Sequence, residues 1–147
     1  MEKKADYPAA IRSGATVYIW GPVFRAYQTY GNVAYRRLVG NCIELLLPDS
    51  LVRTNALATT EVTLTKQGSR RMVHLVNYHA LRRGEHAEVI EEVVPLRDVE
   101  ISVRSKGRPK SVCTAPDRKP LPYKLSKGRV NCTIPVVKEG AMVVFEY

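Results

Sequence analysis

The alternation of apolar and polar residues predicts a mainly β fold for most of this chain. Between Arg70 and Tyr78 the apolar residues run almost without interruption, with polar clusters on either side. A short apolar run of this kind is typical of a strand covered on both faces, so we expect a central strand there. We assign to the core alternate residues of this strand and of two later ones. These are Met72, His74, Val76, Val130, Ile134 and Val144.

Shorter alternating segments surround this strand. Thr59–Lys66 has Val62 and Leu64 on its apolar side, and further strands are expected over Glu88–Val94 and Ala141–Tyr147. Two others alternate at Val99, Ile101 and Val103, and at Val130, Cys132, Ile134 and Val136. Because turn residues recur between them at short intervals, we predict an antiparallel Greek-key β-sandwich of seven to eight strands over residues 56–147.

The pattern of residues 1–55 differs from the rest and predicts a separate segment with one strand and one helix. Residues 1–15 are polar and contain Pro and Gly, so we expect a lead-in without regular structure. Ala15–Trp20 is β-branched and aromatic, which favours a short strand. The helix is expected over Val33–Leu47, and residues 48–55 are predicted to be a connector.

The predicted N-terminal α-helix is apolar around most of its circumference. Asn32 can cap its start, and Pro48 ends it. Its polar residues form one narrow strip, which consists of Arg37, Gly40, Asn41 and Glu44. A surface helix needs an apolar stripe of only about 100°, so this helix either lies between two layers or packs on a neighbour outside the chain. Left uncovered, it should self-associate. The residues predicted to dock it are Tyr35, Leu38, Val39, Cys42 and Leu46.

Four aromatic residues cluster just before this helix: Trp20, Phe24, Tyr27 and Tyr30. The spacing of the last three suggests a helical turn. Such residues pack a core or a seam between domains, and they can also stack on the faces of sugars. We therefore include all four as candidate docking residues, with carbohydrate as an alternative partner.

The positive charge of the chain is unevenly distributed. The net charge is +9 and the pI about 9.7. Residues 104–129 contain nine Lys or Arg and one acid, whereas residues 85–100 contain six acids and one base. Such a basic segment is a solvated surface or faces an acidic neighbour, and nucleic acid is the alternative partner. Tyr123 is the one aromatic residue in the basic segment, which argues against base stacking.

No residue pattern predicts catalysis. His74 lies in the central strand, where a hydrogen bond to a neighbour is expected, and His79 and His86 lie on a charged loop whose spacing matches no zinc site. Glu91 and Glu92 are adjacent on a predicted strand, so their side chains point to opposite faces and cannot act together across one bond. We expect no catalytic residue, metal ligand or cofactor in this chain.

The cysteines and the hydropathy of the chain indicate in which cellular compartment the protein is expected. Cys42 and Cys132 fall on apolar faces, as small core residues of a reducing compartment do, and a bridge between Cys113 and Cys132 is the alternative. The N-terminal residues contain no apolar segment of a signal peptide, and no apolar run has the length of a membrane span. We expect a cytoplasmic protein without a membrane partner.

Several stretches resemble the C-terminal region of large bacterial β-galactosidase-type glycoside hydrolases. The N-terminal part resembles the end of their glutamine-amidotransferase-like trimerisation domain, and the later part resembles their C-terminal β-sandwich domain. The first likeness rests on Val23-Phe24-x-x-Tyr27-x-x-Tyr30-Gly31, Tyr35-Arg36-Arg37-Leu38-Val39 and Ile43-x-Leu45-Leu46. The second rests on Val62-x-Leu64-x-x-Gln67, Val73-His74-Leu75-Val76-Asn77-Tyr78, Val94-Pro95-Leu96-x-Asp98-Val99 and Met142-Val143-Val144.

The resemblance implies a non-catalytic function. In that family an N-terminal (β/α)8 barrel with two acidic residues performs the chemistry, and nothing in this sequence resembles it. The chain is then expected to be a C-terminal accessory part of such an enzyme, with the other domains of the same polypeptide and copies of itself as partners. A free-standing module that binds carbohydrate or another ligand is the main alternative, and a basic nucleic-acid-binding protein is the second.

Overall fold

The computed structural model describes residues 6–82 and 87–147 and divides the chain into two compact units, Met1–Ser50 and Leu51–Tyr147. The sequence pattern had placed the boundary after residue 55. The difference arises from residues 51–55, which contain a short strand paired within the second unit.

The first unit begins with an antiparallel hairpin of β1 (Ala10–Ser13) and β2 (Thr16–Ile19). Ser13 pairs with Thr16, and Gly14 lies in the turn with φ 57°, a left-handed conformation that glycine adopts without strain. The prediction of an unstructured lead-in over residues 1–15 is therefore wrong for β1. The strand has too few apolar residues for the pattern to reveal it, and it forms because β2 supplies hydrogen-bond partners.

Two helices follow in the described part of this unit, where one had been predicted: α1 (Val23–Tyr30) and α2 (Val33–Leu46). Gly31 separates them, with φ 63° and an N–H that donates to the carbonyl oxygen of Tyr27 at 2.8 Å. Asn32 caps α2 as predicted, since its Oδ1 accepts a hydrogen bond from the N–H of Ala34 at 2.9 Å.

The second unit is a mainly β, antiparallel sandwich, which confirms the predicted fold class. Within residues 51–82 and 87–147 it contains two four-stranded sheets and a separate two-stranded pair. The strands are β3 (Val52–Thr54), β4 (Thr60–Gln67), β5 (Arg70–Asn77), β6 (Leu81–Arg82), β7 (Glu88–Val89), β8 (Leu96–Arg104), β9 (Ser111–Ala115), β10 (Tyr123–Ser126), β11 (Arg129–Val137) and β12 (Gly140–Glu146). The strand predicted over Glu88–Val94 is thus much shorter than expected.

The two sheets have the orders β4-β5-β12-β9 (sheet I) and β10-β11-β8-β3 (sheet II), and every pair is antiparallel. β5 lies between two neighbours, so its predicted central position is confirmed. Within the two four-stranded sheets, β4–β5 and β10–β11 are the pairs of strands consecutive in sequence, and the chain passes from one sheet to the other between β3 and β4, between β8 and β9, between β9 and β10 and between β11 and β12. The chain therefore connects the two sheets several times.

One hydrophobic cluster fills the space between the sheets. It draws on both of them, and apolar residues that alternate along the strands supply it. Its buried members are Val73, Leu75, Val99, Ile101, Val103, Val112, Leu121, Val130, Cys132, Ile134, Val137, Val143 and Phe145. Val62 and Leu64 pack against it as partly buried neighbours, in agreement with the predicted inward side of β4.

The core side of β5 and β12 is opposite to the one predicted. Val73 and Leu75 are buried, whereas Met72 and His74 are half-buried and Val76 is exposed. On β12, Val143 and Phe145 are buried, and Val144 is not. A shift of one residue exchanges the two faces of a strand, and an uninterrupted apolar run gives no alternation from which to choose. Val130 and Ile134 are buried as predicted.

Asn77 is buried on the core side of β5, where both N–H groups of its side-chain amide donate hydrogen bonds. Its Nδ2 donates to the carbonyl oxygens of Val94 at 2.9 Å and Lys138 at 2.7 Å. Its backbone N–H donates to the carbonyl oxygen of Glu139 at 2.8 Å. The side chain therefore ties together three segments at the end of the sandwich where β5 finishes.

The alternation of β8 and β11 changes phase near Asp98 and Pro135. Asp98 has φ 51°, and Pro135 lies between the paired residues Ile134 and Val136. Val137 is then buried and Val136 is exposed, so the predicted alternation through Val136 is wrong. Proline cannot donate to the ladder, which allows the local change of twist.

Candidate functional site

The first unit carries an exposed aromatic surface. Trp20 is 72% exposed, Phe24 74% and Tyr30 76%, and Tyr27 is also exposed. Val23 is buried on the same helix as the last three. Several large exposed aromatic side chains in one short segment are typical of a surface that contacts another molecule or domain.

Helix α2 has one wide apolar arc, which is half-buried along its centre and exposed at its edges. The candidate docking residues Tyr35, Leu38, Val39, Cys42 and Leu46 are all half-buried. At 100° per residue, the exposed residues Ile43 and Leu45 lie at the two edges of this half-buried stripe, and the exposed Val33 lies on the polar side of the helix. Leu47, just after the helix, is also exposed. The helical wheel contained this signal, because the polar strip was too narrow to cover a whole face.

Sheet II has a groove of about 900 Å³ on its outer side. Polar side chains of paired residues face each other there, for example Asn131 beside Ser102 and Thr133 beside Glu100. Asn131 Nδ2 donates to the carbonyl oxygen of Lys124 at 3.3 Å. Tyr123 also lines the groove, but its hydroxyl donates to the carbonyl oxygen of Pro109 at 2.7 Å. We call this feature the polar groove.

A second depression, of about 680 Å³, lies at the end of the sandwich where β4 ends and β5 begins. The lining residues are Leu51, Leu64, Thr65, Lys66, Arg71, Arg104, Ser105 and Lys106. Four of them are cationic and none is acidic. We call this feature the basic cleft.

The structure separates the polar and titratable residues that could have formed a catalytic site. His74 Nε2 lies 3.1 Å from Thr65 Oγ1, so the expected hydrogen bond to a neighbour is present. Glu91, Glu92 and His79 are exposed, and His86 lies outside the described residues. Within residues 6–82 and 87–147, no three His, Cys, Asp or Glu side chains come close enough to hold a metal ion.

All three cysteines are free. Cys132 is buried in the core, and this burial raises the pKa of its thiol to about 11. Cys42 and Cys113 are half-buried. A thiol whose pKa is raised carries little thiolate near neutral pH, so Cys132 is a packing residue and no nucleophile.

No helix in the described parts of the chain has the length and hydrophobicity needed to cross a lipid bilayer.

Comparison with models of known protein families and with curated proteins finds no match. Among solved structures, the chain is similar to α-L-fucosidase isoenzyme 2 from Paenibacillus thiaminolyticus, with a TM-score of 0.87 and 31% sequence identity. The similarity covers 95% of this chain and 22% of the fucosidase chain. Both units described above therefore resemble, almost in full, a minor part of a much longer enzyme.

Proposed function

We propose that this chain is a non-catalytic accessory part of a bacterial glycoside hydrolase and that it packs against the other domains of the same polypeptide. The observation that carries the proposal is the similarity to an α-L-fucosidase, which includes 95% of this chain but 22% of the fucosidase. Most of that enzyme has no counterpart here. The candidate carboxylates Glu91 and Glu92 are exposed and lie outside both depressions.

Two likenesses bear on the parent enzyme. The sequence motifs resemble β-galactosidase-type hydrolases, and the solved structure is an α-L-fucosidase. Both types of enzyme cleave glycosidic bonds, which supports a parent in carbohydrate metabolism. We propose a parent with the domain order of the β-galactosidase type, in which the sandwich follows an α/β domain, and a cytoplasmic location.

The exposed apolar residues of the first unit support a docking role within that parent. Trp20 and Phe24 are mostly exposed, as are Ile43 and Leu45 on α2. Covering such side chains stabilises an interface by about 1.5–3 kcal/mol for each one fully buried. The half-buried residues Tyr35, Leu38, Val39, Cys42 and Leu46 would hold α2 in place while the exposed edges of the same apolar arc dock.

The mass of the native gene product tests the accessory role directly. Source cells are probed by immunoblot with an antibody raised against this chain. We expect a band several times larger than the 16.5 kDa of this chain. A single band at 16.5 kDa would mean that the chain acts alone and would overturn the proposal.

Sedimentation of the purified chain tests the docking surface. The uncovered surface should cause self-association, and the double variant Trp20→Ser/Phe24→Ser should reduce it. The matched control is Val76→Ser/Val136→Ser, which replaces two exposed apolar residues of the sandwich. Equal loss of association in both double variants would contradict the docking role. So would an unmutated chain that stays strictly monomeric at high concentration.

A second candidate function is carbohydrate binding, favoured by the polar groove of about 900 Å³ with Asn131, Glu100 and Thr133 among its lining residues. Amide, carboxylate and hydroxyl groups are suitable partners for sugar hydroxyls. Titration with galactose and fucose should then shift the amide resonances of β8 and β11. Unchanged resonances at high sugar concentration would exclude this function.

A further inference from the structure

The outer face of sheet I has an apolar centre. Along β5 and β12, half-buried residues alternate with the buried ones and therefore lie on the side away from the core. The cross-strand register with β9 arranges six half-buried residues in two adjacent rows. We call them the sheet I patch, which consists of the row His74, Met142 and Ala115 and the row Met72, Val144 and Cys113.

The outer face of sheet II differs in character. There the paired residues of β8 and β11 are polar, with Ser102 opposite Asn131 and Glu100 opposite Thr133. In sheet I, His74 is the one residue among 72–76 that is not apolar, and residues 141–145 of β12 are all apolar. An unbroken apolar run is typical of a strand that is covered on both faces. The sequence of sheet I thus fits a sheet whose outer face is covered as well.

Polar side chains flank the patch on two sides. Thr63 and Thr65 of β4 continue its two rows, and Nε2 of His74 lies 3.1 Å from Thr65 Oγ1. Beyond the other row, Arg70 Nε donates to Glu146 Oε1 at 3.3 Å, so these two charges are paired within the sheet. An apolar centre with a polar rim is the usual composition of a protein interface.

The size of this face indicates what can cover it. Four strands about 4.8 Å apart, with up to eight residues at about 3.4 Å each, give an outer face of at most about 500 Å². Its contact would bury at most about 1,000 Å² over both partners, whereas a standard stable contact between separate proteins buries about 1,600 Å². Domains of one polypeptide form smaller contacts, from about 600 Å² upward, because their linkage keeps them at high effective concentration.

We propose that the sheet I patch docks on an apolar surface of another domain of the same polypeptide. The inference rests on the proposed function and adds to it the face by which the sandwich docks. The similar fucosidase indicates where such a partner comes from, since this chain corresponds to 22% of that enzyme and the rest has no counterpart here. Met72 and Met142 suit such a contact, because flexible methionine side chains adapt to an irregular partner surface.

Oxidation of the two methionines tests whether the patch is covered. Hydrogen peroxide is added to the isolated chain and to the full-length gene product, purified from source cells with the antibody described above. Peptide mass spectrometry then quantifies the sulfoxides of Met72 and Met142. Because methionine oxidation follows exposure, we expect both to react at least about five-fold more slowly in the full-length product. Equal rates in the two proteins would overturn the proposal.

Acetylation of Lys124 in the same two samples is the control for sheet II. Lys124 is exposed and pairs with Asn131. Its rate should be the same in the isolated chain and in the full-length product. If Lys124 were protected as strongly as the methionines, the slower oxidation would not be specific to the patch, and the proposal would be contradicted.

Two double variants of the full-length product identify the side chains that dock. Met142→Gln/Val144→Thr makes the patch polar and keeps Met72 as the probe, which should then react nearly as fast as in the isolated chain. The matched control Leu125→Gln/Val136→Thr changes residues of sheet II that are 42% and 41% exposed, and Met72 should stay protected. Equal effects of the two double variants would contradict the proposal.

The isolated chain shows whether the patch variant still folds. Met142 and Val144 lie outside the core cluster, so Met142→Gln/Val144→Thr should leave the denaturant midpoint of the sandwich unchanged. A clear fall in the midpoint would assign these residues to the core and would contradict a docking surface.

The outcomes separate this inference from the accessory role. An immunoblot band at 16.5 kDa overturns both. A larger product in which Met72 and Met142 react as fast as in the isolated chain leaves the accessory role intact and overturns the docking of sheet I. Protection that grows with the concentration of the isolated chain would assign the patch to a second copy and would also overturn the proposal.

Discussion

The two units of this chain use apolar residues in different ways. In Leu51–Tyr147 the apolar residues of two sheets form one buried cluster, in which Val73, Val103 and Phe145 are fully buried. In the described part of Met1–Ser50, Val23 is the one buried hydrophobic residue, although Trp20, Phe24, Tyr30 and others are available. The second unit buries many of its apolar residues in its own core, whereas the first unit leaves most of its large apolar residues exposed.

The architecture explains this difference. Two four-stranded sheets can cover each other, so each supplies the other with a buried face. A two-stranded hairpin and two helices supply too few layers to bury the whole apolar arc of α2. The comparison shows that the sandwich has a hydrophobic core of its own, whereas the described part of the first unit has one buried hydrophobic residue. This difference supports the proposal that the first unit docks on a partner.

The largest expected effect comes from breaking the sandwich core. Phe145→Ala removes a ring that is 0% exposed and should lower the free energy of unfolding by about 3–5 kcal/mol. Denaturant unfolding followed by circular dichroism measures it. Val76→Ala on the neighbouring strand, where the side chain is 46% exposed, should cost less than about 1 kcal/mol. Similar losses in both variants would mean that the core has been assigned to the wrong face.

The next effect concerns the buried amide of Asn77. Asn77→Leu removes the donor to the carbonyl oxygens of Val94 and Lys138, so both lose a partner, and we expect a loss of about 2–3 kcal/mol. The control is Asn131→Leu. The amide of Asn131 is half-buried, and its hydrogen bonds are longer, at 3.3 and 3.2 Å. A larger loss for Asn131→Leu would show that Asn77 does not tie the sandwich together.

A smaller effect depends on pH and on Cys132. Its pKa is raised from 9.0 to about 11 by burial, so between these values the folded chain holds a proton that the unfolded chain releases. Stability that is complete below pH 9 should therefore fall, by on the order of 2 kcal/mol, as the pH rises to 11. Other groups titrate in the same range, so the quantity to measure is the difference in the free energy of unfolding between the unmutated chain and Cys132→Val at each pH. If the free energy of unfolding of the two proteins depended on pH in the same way, the burial of this thiol would be contradicted.

The smallest effect is confined to the first unit. Asn32→Ala removes the hydrogen bond from Ala34 N–H at 2.9 Å and should destabilise α2 by about 1 kcal/mol. Helical circular dichroism should fall, while the denaturant midpoint of the sandwich stays unchanged. Asn32→Asp, which keeps the acceptor, is the control and should retain the helix. A shift of the sandwich midpoint in Asn32→Ala would mean that the two units unfold together.

The sequence predicts much of the fold because its strongest patterns are local. Alternation gives the inward side of β4 and of β8, and Asn32 gives the start of α2. Local patterns could not assign the faces of β5, where Val73 and His74 stand in one apolar run, nor could they reveal β1. Those features depend on partners that are distant in sequence.

The candidate surfaces also combine features that the local sequence predicts with features that depend on residues distant in sequence. The basic segment was visible in the sequence, and it contributes Arg104 and Lys106 to the basic cleft. Lys66 and Arg71 come from other strands, and only the register of β4 with β5 brings them there. The wide apolar arc of α2 was also visible in the sequence, but which part of this arc remains exposed depends on the packing of the first unit.

Hydrogen–deuterium exchange of the intact chain tests the central difference between the units most directly. The account predicts that amides in β5, β8, β11 and β12 exchange only through global unfolding. Amides of α2 should exchange at least about 100-fold faster through local opening, since an isolated helix of this length is marginal in water. Equal protection of α2 and the sandwich strands would contradict the proposal that the first unit docks on a partner.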